Sequence, residues 1–233
     1  MGKWRAQIGL IGPIESLTEG AFHRYAPVNV NFSTTRIQMR DITVDGLIDF
    51  VDRMEVAAAV YKGYPQDIII FGCTAASCIK GPGWDKECSR RITKASGSPG
   101  TTTSTAVLES FAALNVSKVA MLTPYSKEVT EIEKNFLEGS GICITTATTM
   151  DTSRFNGDVD EGFIYKQAKS MNLDGTEALF ISCMALETMQ LIEVLETDLG
   201  LPVITSHQAS LWSVLRRAGV RENISGIGKL FSF

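Results

Sequence analysis

Two cysteines stand where a thiol could do acid–base or nucleophilic work. Ile68-Ile69-Ile70-Phe71 leads through Gly72 to Cys73, and Ala178-Leu179-Phe180-Ile181 leads through Ser182 to Cys183. Short apolar runs without polar alternation read as strands buried on both faces, as in a parallel sheet. Each cysteine then sits at a strand's carboxyl end and at the start of an expected helix. Ligands of open parallel sheets bind outside those strand ends. The backbone N–H groups of Thr74, Ala75, Met184 and Ala185 would point into the same space from helix amino termini, where they favour a carboxylate. They would also favour a thiolate, drawing a cysteine pKa below its free value of about 8.5. A lone cysteine at a strand end is often a small buried residue. Two in equivalent places suggest a facing pair, one taking a proton while the other returns one.

The rest of the chain must bring them together. Its 233 residues are 44% hydrophobic, enough for a sizeable core in one large or two small domains. A formal charge of −4 argues against nucleic acid or an anionic membrane as partner. No apolar run reaches the length of a membrane span, and Met1-Gly2-Lys3-Trp4-Arg5 leads into a strand rather than a signal core. Five cysteines without framework spacing fit free thiols, hence a cytoplasmic protein. With two histidines and no ligand-spaced cluster, no metal is expected.

Strands and helices alternate. Strands are expected at 7–11, 28–32, 68–71, 101–103, 118–123, 142–146, 178–181 and 202–205. Helices are expected at 15–21, 45–62, 85–95, 126–138, 160–171, 187–199 and 209–218. The clearest is 45–62, where Leu47, Ile48, Val51, Met54, Val56 and Val60 recur near a helical period before Gly63 and Pro65 close it. The order also repeats. Pro124 follows Pro13 by 111 positions and Cys183 follows Cys73 by 110. Thr205, Ala209, Leu211 and Ser213 follow Thr102, Ala106, Leu108 and Ser110 by 103. These offsets predict an α/β fold of two similar doubly wound parallel-sheet half-domains related by a pseudo-twofold axis, with the active site between them. The first lobe takes 1–100 plus 206–233, the second 101–205. Cys73 and Cys183 would then face one cleft, and Tyr125, after the strand-end Pro124, would face it too.

The chain resembles the aspartate/glutamate racemase superfamily, in the branch of arylmalonate decarboxylase and maleate cis-trans isomerase. The carriers, over nearly the whole chain, are Ile8-Gly9-Leu10-Ile11-Gly12-Pro13, Gly72-Cys73-Thr74, 102–108, Val119-Ala120-Met121-Leu122-Thr123-Pro124-Tyr125, Ser182-Cys183, Leu201-Pro202-Val203-Ile204 and Gly228-Lys229-Leu230-Phe231. The resemblance implies carbanion chemistry beside a carboxylate, without a cofactor. Cys183 matches the cysteine common to decarboxylase and isomerases. Cys73 matches the first cysteine of racemases and maleate isomerase, where the decarboxylase has glycine. Thr74 and Tyr125 match hydroxyl donors to the substrate carboxylate. Ala75 stands where the decarboxylase has serine and Met184 where it has glycine, so each offers only its N–H. Thr74 also replaces the asparagine of the racemases' Cys-Asn-Thr, which points away from an amino-acid substrate. Ser16 stands at an asparagine position of maleate isomerase, three residues after the strand-end Pro13.

The functional expectation is a cofactor-independent isomerase, a racemase or cis-trans isomerase, acting beside the carboxylate of a small mono- or dicarboxylic acid. Cys73 and Cys183 are its catalytic residues, and Pro13, Ser16, Thr74, Ala75, Tyr125 and Met184 bind the substrate. Several donors must converge on the enediolate, each worth about 3 kcal/mol in comparable sites. The alternatives are an arylmalonate-type decarboxylase using Cys183 as proton donor, and a two-lobed small-anion binding protein. The only expected partner is the small carboxylate, on a monomer or homodimer. His23 and His207 read as structural, Cys78, Cys88 and Cys143 as incidental. Ser104 is a candidate supporting residue, and Trp84 and Phe155 lie on loops that could shape the pocket.

Overall fold

The computed structural model describes residues 4–14, 16, 18–150, 152 and 159–233. Phe155 and the start of the helix expected at 15–21 lie outside them. The first half runs β1 (Ala6–Pro13), α1 (Thr18–Tyr25), β2 (Val30–Ile37), α2 (Val44–Asp52), α3 (Met54–Ala59), β3 (Ile68–Phe71), α4 (Thr74–Cys78), α5 (Trp84–Ser96) and β4 (Gly100–Thr102). After α6 (Thr103–Ala113) come β5 (Lys118–Thr123), α7 (Lys127–Gly139), β6 (Cys143–Thr149), α8 (Glu161–Ser170) and β7 (Ala178–Ile181). Then follow α9 (Ile192–Leu199), β8 (Val203–Thr205) and α10 (Ser206–Arg217). None of the described helices is long and apolar enough to cross a membrane.

The described residues form two four-stranded sheets of identical order, β2-β1-β3-β4 and β6-β5-β7-β8, and every pairing is parallel. The expected two-lobed α/β fold is therefore what the chain adopts. The strands preceding the two cysteines, β3 and β7, are each one of the two inner strands of their sheet and are buried throughout. Ile8 lies beside Ile68, and Val119 beside Ala178. Continuous apolar runs suit strands covered on both faces.

The sheets exchange helices. β4 pairs with β3 as far as Thr102, so the first sheet extends two residues past position 100. Ala106, Val107 and Phe111 of the following α6 pack with Val119, Met121 and Phe180 of the second sheet. Conversely α10, after β8, packs against β3 and α1 of the first. The two helices start alike: the Thr102 hydroxyl accepts from the Thr105 N–H and the Thr205 hydroxyl from the Gln208 N–H, each satisfying a donor the helix cannot.

The structure departs from the sequence reading in places with local causes. The helix expected at 45–62 is broken at Arg53, whose N–H reaches back to Phe50 O and Val51 O in a tightened turn. Residues 103–113, for which no helix was expected, form α6. No helix begins after Cys183: the chain turns through Met184–Leu186 and becomes regular again only at a short 3-10 turn, Met189–Leu191.

Candidate active site

The carboxyl edges of the two sheets enclose a cavity of about 500 Å³, within the range of small-molecule sites. Its wall includes Pro13, Ser16, Cys73, Thr74, Ala75, Tyr125, Cys183 and Met184, so all eight residues named from the sequence share one cavity. Trp84 is not among the residues lining it; its ring packs under Lys80 and Arg91, with Nζ of Lys80 4.4 Å from the centroid. His207 lies behind the wall, Nδ1 3.0 Å from Leu186 O, and His23 packs edge-on against Phe32.

The two thiols are held differently. Cys73 is the extended residue capping α4 (φ −149°). Cys183 has φ +106°, a conformation costly for a residue with a Cβ. Polar contacts hold it there: its N–H donates to Ser206 Oγ at 3.0 Å, and the Ala185 N–H donates to its sulfur at 3.3 Å. Because this turn replaces a helix start, the Met184 and Ala185 amides are not helix-terminal donors. The Ala185 N–H serves the sulfur, and the Met184 carbonyl accepts from the hydroxyls of Ser16 at 3.2 Å and Thr18 at 3.3 Å.

Ser206, not singled out in the sequence, joins the two half-sites. Its oxygen accepts from Cys183 N–H and lies 2.8 Å from Thr74 Oγ1. Either hydroxyl of this pair can donate; with Ser206 as donor, the Thr74 hydroxyl proton is left for the cavity. The Thr74 carbonyl is fixed in turn by the hydroxyls of Ser77 at 3.0 Å and Ser104 at 3.1 Å; Ser104 supports the site from α6, not from a strand end. The Tyr125 hydroxyl is in hydrogen-bonding contact with both Ser182 and Cys183. It therefore faces the sulfur as well as the cavity.

Neither cysteine pKa is lowered. Burial pushes Cys73 up to about 12, against the Ala76 N–H, and Cys183 up to about 11, against the Ala185 N–H and the Tyr125 hydroxyl. The expectation of depressed values fails because both sulfurs are buried, at 8% and 5% exposure, and taking a thiolate out of water outweighs a few aligned N–H groups. Cys183, with more donors, is the less disfavoured thiolate of the two.

Two acidic or basic groups escaped the sequence reading. Arg40, between β2 and α2, lines the cavity and is the only cation among the described residues that do. No hydrogen bond or ion pair engages its guanidinium among the described residues. Its neighbour Asp41 also lines the cavity but is occupied by Thr43, whose Oγ1 donates to it at 2.5 Å. A loop at a strand's carboxyl edge was the available signal. The other group is Glu133 on α7, 1% exposed, which accepts from Ser182 Oγ at 2.7 Å.

The family model of arylmalonate decarboxylase matches residues 9–231. The chain belongs to the arylmalonate decarboxylase family. Its similar proteins include a maleate isomerase of Nocardia farcinica, 24% identical, covering 96% of this chain and 94% of the relative. The arylmalonate decarboxylase of Bordetella bronchiseptica is 27% identical over 82% of this chain and 79% of its own. Among solved structures, a cysteine-to-serine mutant of Nocardia farcinica maleate cis-trans isomerase with a covalently bound succinylcysteine intermediate superposes with a TM-score of 0.91. It is 22% identical and covers 97% of this chain and 98% of that one, a likeness of fold. Family membership makes the chain an enzyme of the isomerase and decarboxylase type and bears out the resemblance read from its motifs.

Proposed function

We propose that the protein is a cofactor-independent cis-trans isomerase of a small unsaturated dicarboxylate, of the maleate kind. The observation that carries this reading is the pair of thiols, Cys73 and Cys183, on the wall of one cavity. Arg40, the one cation among the described lining residues, suits a carboxylate at the end of a substrate where an arylmalonate would put its aromatic ring, which asks for an apolar pocket. The succinylcysteine of the structural neighbour is what a thiol gives on adding to a four-carbon unsaturated diacid.

The reaction needs a nucleophile, a proton and a place for charge. Cys73, the more disfavoured thiolate of the two, must first lose its proton to solvent; as thiolate it adds to one alkene carbon, forming a C–S bond while the π pair moves onto the other carbon and its carboxylate. That enediolate is met by the Thr74 hydroxyl and by the Thr74 and Ala75 N–H groups, which the first helical turn leaves unbonded. Cys183 gives its proton to the carbanionic carbon. The former double bond is now single and rotates. Cys183 then retakes the proton, the C–S bond breaks, and the trans alkene leaves. Nucleophile and proton both come from the chain, so the scheme calls for no cofactor.

A panel of maleate, aspartate, hydantoins and an arylmalonate, followed by proton NMR in deuterated water, tests this. Maleate is expected to give its trans isomer, and Cys73→Ser and Cys183→Ser are each expected to abolish turnover without adding. Release of carbon dioxide from the arylmalonate, retained by Cys73→Gly, would instead make the protein a decarboxylase working through Cys183.

A further inference from the structure

We propose that Glu133, buried behind Cys183, is the proton-holding end of a relay running Glu133–Ser182–Tyr125–Cys183. The inference rests on Cys183 being the proton-transferring thiol, as above.

The chain of contacts is continuous. Ser182 Oγ lies 2.7 Å from Glu133 Oε1, and the Tyr125 hydroxyl contacts Ser182 on one side and Cys183 on the other. Every member is nearly or wholly buried: Glu133 1% exposed, Ser182 0%, Tyr125 5%, Cys183 5%. The other carboxylate oxygen, Glu133 Oε2, has no hydrogen-bond partner among the described residues. Among the described residues no cation offsets the carboxylate: burial and Ser182 act on it, and burial pushes its pKa up to about 7. The titratable groups facing it are Tyr125, Cys183, Cys73 and Cys78, whose ionisation its charge opposes. A buried acid with no structural counter-ion is costly to keep.

Two hydrogen-bond arrangements account for the chain. In one, the Cys183 thiol donates to Tyr125, Tyr125 to Ser182, and Ser182 to an ionised Glu133. In the other, a protonated Glu133 donates to Ser182, Ser182 to Tyr125, and Tyr125 to the Cys183 thiolate. Moving one proton along each link converts the first into the second, with three protons and one negative charge throughout. With Cys183 and Glu133 both protonated at the start, Cys183 gives its proton to carbon and leaves the second arrangement; the shift to the first passes the charge to Glu133, and when Cys183 must act as base the shift reverses. Tyr125 is then a member of the relay, and the substrate carboxylate is left to Thr74 and the amides. The device serves one thiol only. At the matching repeat positions the Cys73 side has Gly72 for Ser182, Ile14 for Tyr125 and Phe22 for Glu133, none of which can carry a proton.

The test uses the whole protein and two readouts. The first needs no substrate: iodoacetamide labelling of Cys183, read by peptide mass spectrometry between pH 6 and 10. Glu133→Gln removes the charge that opposes the thiolate, so above pH 7.5 Cys183 should label about tenfold faster than in the parent. The second is turnover of maleate against pH. Glu133→Gln should lower kcat with KM unchanged and lose the limb near pH 7. Ser182→Ala, which cuts the path but keeps the charge, should lower kcat comparably, and the double variant should be no worse than either alone. Parent-like labelling of Cys183 and a parent-like pH profile in Glu133→Gln would overturn the relay, as would additive losses in the double variant. Altered labelling with no turnover of any diacid would uphold the coupling of Glu133 to Cys183 and overturn the substrate reading. Should Glu133→Gln fail to fold by thermal melting, Ser182→Ala decides on kcat alone: an unchanged kcat overturns the relay and a lowered one upholds it.

Discussion

The buried acid and the buried imidazole make a prediction about stability that needs no substrate. Glu133 holds its proton to about pH 7 in the folded chain against 4.5 ordinarily, because burial disfavours its charge. Between those values the native state binds more protons than the unfolded one, so stability falls as pH rises. His207 is the mirror case. Burial holds its imidazole neutral down to about pH 4 against 6.5 ordinarily. Between these values the unfolded chain binds more protons, and stability rises with pH. Each full swing is worth about 3 kcal/mol, at 1.36 kcal/mol per pH unit. From pH 4.5 to 6.5 the two slopes oppose, and the parent should show little net dependence from this pair. Glu133→Gln removes one slope and exposes the other. Measured by equilibrium urea unfolding with tryptophan fluorescence, its stability relative to the parent should climb by about 3 kcal/mol from pH 4.5 to 7. His207→Asn should do the reverse, gaining on the parent as pH falls from 6.5 to 4. Surface carboxylates are common to all three proteins and cancel in the differences. Parallel curves for parent and Glu133→Gln from pH 5 to 8 would show that Glu133 ionises normally, and the argument from burial would fail.

Other perturbations probe single contacts. Ser206→Ala should leave the Cys183 N–H unpaired and the Thr74 hydroxyl misdirected, costing about 1–3 kcal/mol in urea unfolding and lowering kcat. Arg40→Met should raise KM for a dicarboxylate about tenfold, the worth of a charged hydrogen bond, while kcat holds; an unchanged KM would remove Arg40 from the site. Gly9→Ala places a Cβ 2.8 Å from Ile69 Cγ1 and 3.1 Å from the Tyr61 ring, an overpacking expected to cost about 1–3 kcal/mol by thermal or urea unfolding.

The strands and the paired thiols were legible because both rest on local pattern. An apolar β-branched run ending in a small residue says buried parallel strand, and its repetition 110 positions on says duplication. α6 was not legible because its pattern is not amphipathic: Thr103, Ser104 and Ser110 are as buried as Val107 and Phe111. Polar residues packed between two lobes hide the helical period. The turn at Cys183 left no trace either, since the position that takes φ +106° is not a glycine and is held by Ser206, distant in sequence. Glu133 was hidden by its neighbours Lys127, Glu128, Glu131 and Lys134, which read as a solvated face. Yet Val129, Glu133, Phe136 and Leu137 share one helical face and are all buried, so spacing held the signal. The cysteine pKa direction was misread because sequence shows donors but not depth.

Departures from the repeat bear on which isomerisation the site suits. A racemase works in both directions, each thiol serving in turn as base and as acid, so near-equivalent environments serve it best. Here the Cys183 sulfur meets the N–H groups of Ala185 and Leu186 and the Tyr125 hydroxyl, whereas Cys73 meets only that of Ala76. The backbone conformations differ as well, extended at Cys73 and left-handed at Cys183. Two thiols so unlike each other match a division of labour, in which one bonds to carbon and the other only moves a proton. The thiol with more donors and a carboxyl behind it can hold or pass on a negative charge for the lifetime of an intermediate. The other, with Gly72 and Phe22 at the matching repeat positions, has no such group in those places to take its charge, which suits a nucleophile.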